Sequence, residues 1–354
     1  MTDLRIENVN IIAEQPIIKP NDLKALFPLT DKSIETVEKG QQTVKNILQK
    51  TDKRLLVVVG PCSIHNIESA KEYARKLKAL SDELSDSLYL VMRVYFEKPR
   101  TTVGWQGLIN DPYLNDSYAI EDGLKMAREL LSYVAEIGLP AAGEALDLIT
   151  PQYMQDLFSW TAIGARTTES QTHRNMASGL TSVVGFKNGT NGDIKIAINA
   201  RMSAAAPHNF VSVDPEGNVA VVKTAGNPNS HIILRGGKEP NYSAEYVRKY
   251  ELHLEKEGLE PRLMIDCSHA NSHKKASNQQ LVCDDIAQQI KDGNKSIIGL
   301  MVESNLKFGK QSIPADLKQL EYGVSITDEC IGWDQTETML RKLRDDVKDI
   351  LTSR

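Results

Sequence analysis

Residues 55–98 read LLVVVGPCSIHNIESAKEYARKLKALSDELSDSLYLVMRVYFEK. An apolar, β-branched run (55–60) leads into Pro61-Cys62-Ser63, then a stretch with helical spacing of apolar positions (67–84), then a second apolar run (88–95). Runs this continuous lack the polar alternate face of a half-exposed strand, so they predict strands buried on both sides beneath helices. The same unit recurs along the chain. Further apolar runs fall at 140–145, 161–165, 182–186, 231–234, 262–265 and 296–302, with helical stretches near 120–138 and 192–206 among the spacers. Eight strands alternating with helices fit either an open doubly wound sheet or a closed barrel. An open sheet gathers its site at one switch point, whereas a barrel draws functional residues from the ends of many strands. Here nearly every run ends in a reactive side chain: Cys62, Arg93 with Lys98, Glu144, Arg166, Lys187, Arg235, His269 and Glu303. That distribution selects an α/β fold of the (β/α)₈ TIM-barrel class.

Two segments stand outside the repeat. Residues 1–20 lack periodicity and read as an arm, after which Thr30-Asp31 offers the cap of a helix running to about Gln49. Residues 210–213, the turn Asp214-Pro215-Glu216-Gly217-Asn218 and residues 219–223 read as an inserted β-hairpin. The expected organisation is an N-terminal arm and helix (1–50) and one catalytic barrel (51–354) with the hairpin at about 209–224.

Composition narrows the function class. The 354 residues are 41% hydrophobic and 25% charged, with a formal net charge of −5. That balance is ordinary for a soluble globular chain and argues against nucleic acid as a partner. No run approaches the roughly 18 apolar residues of a membrane span, and the polar residues 1–10 do not read as a signal peptide. Four cysteines (Cys62, Cys267, Cys283, Cys330) with no C-x-x-C pair point to a reducing, cytoplasmic location.

Arg93, Lys98, Arg166, Lys187 and Arg235 converge on one face. Buried positive charge without a partner is costly, so an anionic ligand is expected there, with arginine forks suited to phosphate and carboxylate. Cys62, His269, Glu303 and Asp328 offer a thiolate, an imidazole and two carboxylates, a mixed set that suits Mn²⁺, Fe²⁺, Co²⁺ or Zn²⁺ better than Ca²⁺. Were Asp328 a ligand, Cys330 two residues on would lie near Cys62. G-x-G-x-x-G, Walker A and G-x-S-x-G motifs are missing. Lys187 as a Schiff-base lysine, activated by flanking cations, is the metal-free alternative.

Six segments are specific enough to resemble a known family: Gly60 to His65 (GPCSIH), and residues 92–105 (MRVYFEKPRTTVGW), 163–171 (IGARTTESQ), 185–192 (GFKNGTNG), 231–237 (HIILRGG) and 266–271 (DCSHAN). They closely resemble the type I 3-deoxy-D-arabino-heptulosonate 7-phosphate (DAHP) synthases, from the arm almost to the end of the chain. The resemblance implies condensation of phosphoenolpyruvate with erythrose 4-phosphate, entering the shikimate pathway, with one divalent metal ion per subunit. It implies Cys62, His269, Glu303 and Asp328 as metal ligands. It also implies Arg93, Lys98, Glu144, Ala165, Arg166, Lys187 and Arg235 around phosphoenolpyruvate, and Pro99-Arg100-Thr101-Thr102 around the aldose phosphate. Lys98 is the candidate acid for the aldehyde oxygen, and Glu144 or His269 the group that positions or deprotonates water. A related synthase acting on a five-carbon aldose phosphate is the alternative. The resemblance further implies a homodimer or homotetramer and feedback control by phenylalanine or tyrosine. The effector site would use Asp3, Pro151, Gln152, Leu180, Phe210, Ser212 and Val222. Ser212 resembles the phenylalanine-sensitive form, whereas the arm (4–30) and Ala145 resemble the tyrosine-sensitive one.

Overall fold

A computed structural model describes residues 6–352. The first strands are β1 (Leu55–Gly60), β2 (Leu88–Arg93), β3 (Ala141–Glu144), β4 (Trp160–Ile163) and β5 (Val183–Lys187). After them come β6 (Asn209–Val213), β7 (Val219–Lys223), β8 (Ser230–Leu234), β9 (Leu263–Asp266) and β10 (Ile297–Glu303). All but β6 and β7 are parallel and close into one barrel in the order β1-β10-β9-β8-β5-β4-β3-β2. The expected (β/α)₈ barrel is therefore the observed fold.

Side chains of β1 alternate between two buried layers. Leu55, Val57 and Val59 pack outward among the helices, while Leu56 and Val58 join Trp160, Met264 and Met301 in a second cluster. That inner cluster also takes Val44, Ile47 and Leu48 from α2 (Asp31–Leu48), the helix that precedes β1. Both faces being apolar is why the strand read as an unbroken hydrophobic run. Within the cluster Trp160 Nε1 donates to His231 Nε2 at 2.8 Å. A Cβ at Gly185 would stand 2.6 Å from Trp160 and 2.7 Å from Ile233, so a side chain there would displace the filling.

Element boundaries follow local chemistry. Helix α2 starts at Asp31 because Thr30 Oγ1 accepts the Ser33 N–H at 3.1 Å. The outer helices continue with α3 (Ile67–Glu83), α4 (Ile120–Glu136), the single turn α5 (Pro151–Met154), α6 (Gln171–Ala177), α7 (Lys195–Ala205), α8 (Ala244–Lys256), α9 (Gln279–Lys291) and α10 (Trp333–Leu351). Strand β2 stops at Arg93, two residues short of expectation, so Lys98 lies on a loop rather than at the strand end. That loop is braced where Glu97 bridges to Gly107. Helix α7 begins three residues later than expected, since Gly192 takes a turn conformation at φ +94°. The hairpin pairs Phe210 with Val222 and Ser212 with Ala220, its turn closed by Asp214 Oδ1 accepting the Glu216 and Asn218 N–H groups. The arm contains a short helix, α1 (Pro20–Leu26), that its sequence did not announce. Just before it the Ile18 N–H donates to Glu121 of α4 and the Tyr153 hydroxyl to the Ile18 carbonyl, and the Asn21 N–H then donates to the Pro215 carbonyl of the hairpin turn.

Candidate active site

Because the eight barrel strands are parallel, their C-terminal ends open on one face, where a cleft of about 400 Å³ sits. Arg93, Lys98, Pro99, Arg100, Thr101, Thr102, Glu144, Ala165, Arg166, Lys187, Arg235, His269 and Asp328 all line it. Every position named for substrate thus faces one space. Cys62 and Glu303 are fully buried and lie at its floor behind Arg93 and Lys98.

The floor is a dense polar network. Arg93 Nη2 donates to Glu303 Oε1 at 2.9 Å and to the Cys62 carbonyl at 3.0 Å, while its guanidinium lies 3.4 Å from the centre of the Tyr95 ring. Lys98 Nζ sits 3.3 Å from Cys62 Sγ. Ser268 Oγ donates to the other oxygen of Glu303 at 2.7 Å. Burial opposes ionisation of Glu303, but His269, Arg93 and Lys98 outweigh it and hold the carboxyl below its usual range. Burial and the neighbouring Glu303 push the Cys62 thiol up. Lys98 is disfavoured by burial yet held above the ordinary lysine value, chiefly by Cys62.

Asp266 is a site residue that the sequence alone does not single out. It is fully buried at the end of β9, with Lys187 Nζ 2.9 Å and His269 Nδ1 2.9 Å from its Oδ2, and Ser268 N–H on its Oδ1. Burial would raise its pKa, but His269 and Lys187 prevail and hold it well below the carboxylate range. The only signal in the sequence was its place directly after a strand, three residues before His269. Its contact with Lys187 also weighs against the Schiff-base alternative, which needs flanking cations where the structure has a carboxylate. Lys98, Arg100, Arg166 and Arg235, by contrast, have no carboxylate partner among the described residues, and Arg93 Nε and Nη1 are buried without an acceptor. The cleft is thus lined by cationic donors in excess.

Donor atoms of Cys62, Glu303 and Asp328 lie within 4.8 Å of one another. Donors around a tetrahedral ion with bonds of about 2.0–2.3 Å stand about 3.3–3.8 Å apart. The three can therefore close on one divalent ion with pairwise movements of no more than about 1.5 Å. His269 stands at the edge, its Nε2 4.0 Å from Glu303 Oε1.

The remote set is only partly gathered. Pro151 and Leu180 line a small, mainly apolar cavity with Ala145, Thr150 and Phe158. Phe210, Ser212 and Val222 are half-buried on the hairpin, and Gln152 follows Pro151 in α5, but these four do not line that cavity. Asp3 lies outside the described residues. Glu97, which no signal in the sequence singles out, also lines the cavity and accepts the Thr150 hydroxyl at 2.9 Å. Burial and Asp147 push its carboxyl up to about 8.

Residues 28–341 match the DAHP synthetase I family. The chain belongs to that family. It is 55% identical over 349 residues to the Tyr-sensitive phospho-2-dehydro-3-deoxyheptonate aldolase of Escherichia coli K12, covering 99% of this chain and 98% of the relative. It is 56% identical over 346 residues to the Phe-sensitive enzyme of the same organism, covering 98% and 97%. The solved structure of the Francisella tularensis SCHU S4 aldolase superposes with a TM-score of 0.93 at 48% identity, over 96% of this chain and 99% of that one.

Proposed function

We propose that this enzyme joins phosphoenolpyruvate, erythrose 4-phosphate and water into 3-deoxy-D-arabino-heptulosonate 7-phosphate and inorganic phosphate, under feedback control by an aromatic amino acid. The supporting observation is the cationic cleft, with four cations that have no carboxylate partner among the described residues, directly above the Cys62, Glu303 and Asp328 cluster.

Arg93, Lys98, Arg166, Lys187 and Arg235 would bind the phosphate and carboxylate of phosphoenolpyruvate, and Pro99 to Thr102 the aldose phosphate, so that C3 of the enol ester faces the aldehyde carbon. Holding both anions in one cleft supplies much of the acceleration by orientation. Cys62, Glu303, Asp328 and His269 would hold a divalent ion such as Mn²⁺, Fe²⁺, Co²⁺ or Zn²⁺, which when bound supplies Lewis-acid polarisation of the aldehyde oxygen. Lys98 would protonate that oxygen as the C3–C1 bond forms. Glu144 or His269 would take a proton from water as it adds at C2, and the C2–O bond to phosphate then breaks, with Arg166 and Arg235 receiving the departing charge. Asp266 would hold the His269 ring and the Lys187 ammonium in place throughout.

The effector would be phenylalanine or tyrosine, taken up near Pro151, Gln152, Leu180 and the inner face of the hairpin, with Asp3 contributed by the arm. Assembly as a homodimer or homotetramer in the cytoplasm completes the reading. The test is phosphate release with erythrose 4-phosphate and, separately, a five-carbon aldose phosphate, with and without chelator. Release with the four-carbon aldose that chelator abolishes is expected. Preference for the five-carbon aldose, or full activity without metal, would overturn it.

A further inference from the structure

The donors of the cluster come from elements far apart in the chain, and they differ in support. Cys62 and Glu303 are fully buried, while Asp328 is exposed on the loop after β10. That loop is anchored by backbone on either side: Ser325 bridges to Lys310, and Cys330 exchanges two hydrogen bonds with Gly309. Between these anchors the chain is held by side chains. Glu329 accepts the Ala276 N–H at 2.7 Å, and the Thr327 hydroxyl meets the Ser63 hydroxyl at 2.7 Å. Ser63 directly follows Cys62, and Thr327 directly precedes Asp328. Ser63 is 1% exposed, so its hydroxyl is shielded from competition by bulk water.

We infer that the Ser63–Thr327 hydrogen bond is a positioning pin that sets the separation of Cys62 Sγ from the Asp328 carboxylate, and so governs how tightly the site holds its metal. The inference rests on the metal-site reading above and deepens it. The two hydroxyls meet each other at 2.7 Å. Each acts through the ligand next to it in sequence, as outer groups that orient metal ligands do. Without the pin, the buried thiol stays where the turn after β1 holds it while the exposed carboxylate is free to move away, and the entropy of fixing Asp328 then weakens metal binding.

Thr327→Val removes the hydroxyl at nearly constant shape, Ser63→Ala removes its partner, and Thr327→Ser retains the hydroxyl. Co²⁺ is the probe. Its thiolate charge-transfer absorption reports the Cys62–metal bond, and competition with a chelator of known affinity gives the dissociation constant. Thermal unfolding of the metal-free proteins separates folding from binding. The expected result is a 10- to 100-fold rise in the Co²⁺ dissociation constant for Thr327→Val and Ser63→Ala, the range typical of lost outer partners. Thr327→Ser should hold the metal like the parent chain, and the double variant should be no weaker than the weaker single one. Wild-type affinity in Thr327→Val, or additive losses in the double variant, would overturn the pin. Should the parent chain bind Co²⁺ without any thiolate band, the metal-site reading itself would fail, a separate and recognisable outcome. If Ser63→Ala fails to fold, Thr327→Val and Thr327→Ser still decide.

Discussion

Glu97→Gln isolates one buried carboxyl whose effect on stability has a definite sign. Burial, followed by the charge of Asp147, lifts the Glu97 carboxyl to about 8, against a hydrogen bond from Thr150 that favours the ionised form. Glu144 adds repulsion from the β3 side. An unfolded glutamate titrates near 4.3. Between these values the folded chain keeps a proton that the unfolded chain has released, so stability falls as pH rises, by about 1.4 kcal/mol per pH unit. From pH 6 to pH 9 only the two units below the folded pKa count, which makes the loss on the order of 3 kcal/mol. Glutamine keeps an acceptor for Thr150 and carries no charge at any pH, so the variant lacks this loss. Urea unfolding of both proteins at pH 6 and pH 9, monitored by tryptophan fluorescence, measures it. The variant should gain on the parent chain by roughly 3 kcal/mol across that interval. Parallel pH dependences would show that Glu97 is ionised in the fold and that the reasoning about its burial is wrong.

Asp266→Asn removes the charge shared by Lys187 and His269. It should cost about 3–5 kcal/mol of stability for the buried cation left unpaired, and 10- to 100-fold in phosphate release, by urea unfolding and steady-state assay. Because the Asp266 pKa is depressed, the stability it supplies is present above about pH 3.9 and should fade as pH falls further, a fading absent from the variant. Cys62→Ala should abolish turnover and the Co²⁺ thiolate band with little change in far-ultraviolet circular dichroism. In air-exposed metal-free protein, Cys62 and the buried Cys330, close enough to interact electrostatically, should be lost from a thiol titration as a pair and recovered with reductant and metal. Deleting residues 1–19 removes the contacts of Ile18 with Glu121 and Tyr153, and should leave turnover largely intact while weakening inhibition by phenylalanine or tyrosine. Unchanged inhibition would make the arm purely structural.

What the sequence made legible was one-dimensional: runs, periods and the residue at each strand's end. In a parallel barrel every strand end faces the same opening, so listing Arg93, Glu144, Lys187 and Glu303 by position already lists neighbours in space. The same logic explains the misses. Asp266 also ends a strand, but its role depends on Lys187 and His269 reaching the same oxygen, and no spacing encodes that meeting. Lys98 reaches Cys62 from a loop beyond β2 braced by the bridge from Glu97 to Gly107, which apolar periodicity does not register. Ser63 and Thr327 are further removed, since serine and threonine carry no charge and their contact spans 264 positions. Glu97 shows how far environment outruns residue type. Between Lys98 and an apolar run it reads as an ordinary surface acid, yet enclosure beside Asp147 and Glu144 gives it the titration of a much weaker acid. The cations and the metal donors were legible because their chemistry is unusual in a core. The groups that hold them were not, because a buried hydroxyl or a second carboxylate acquires its function only from the partner that folding brings to it.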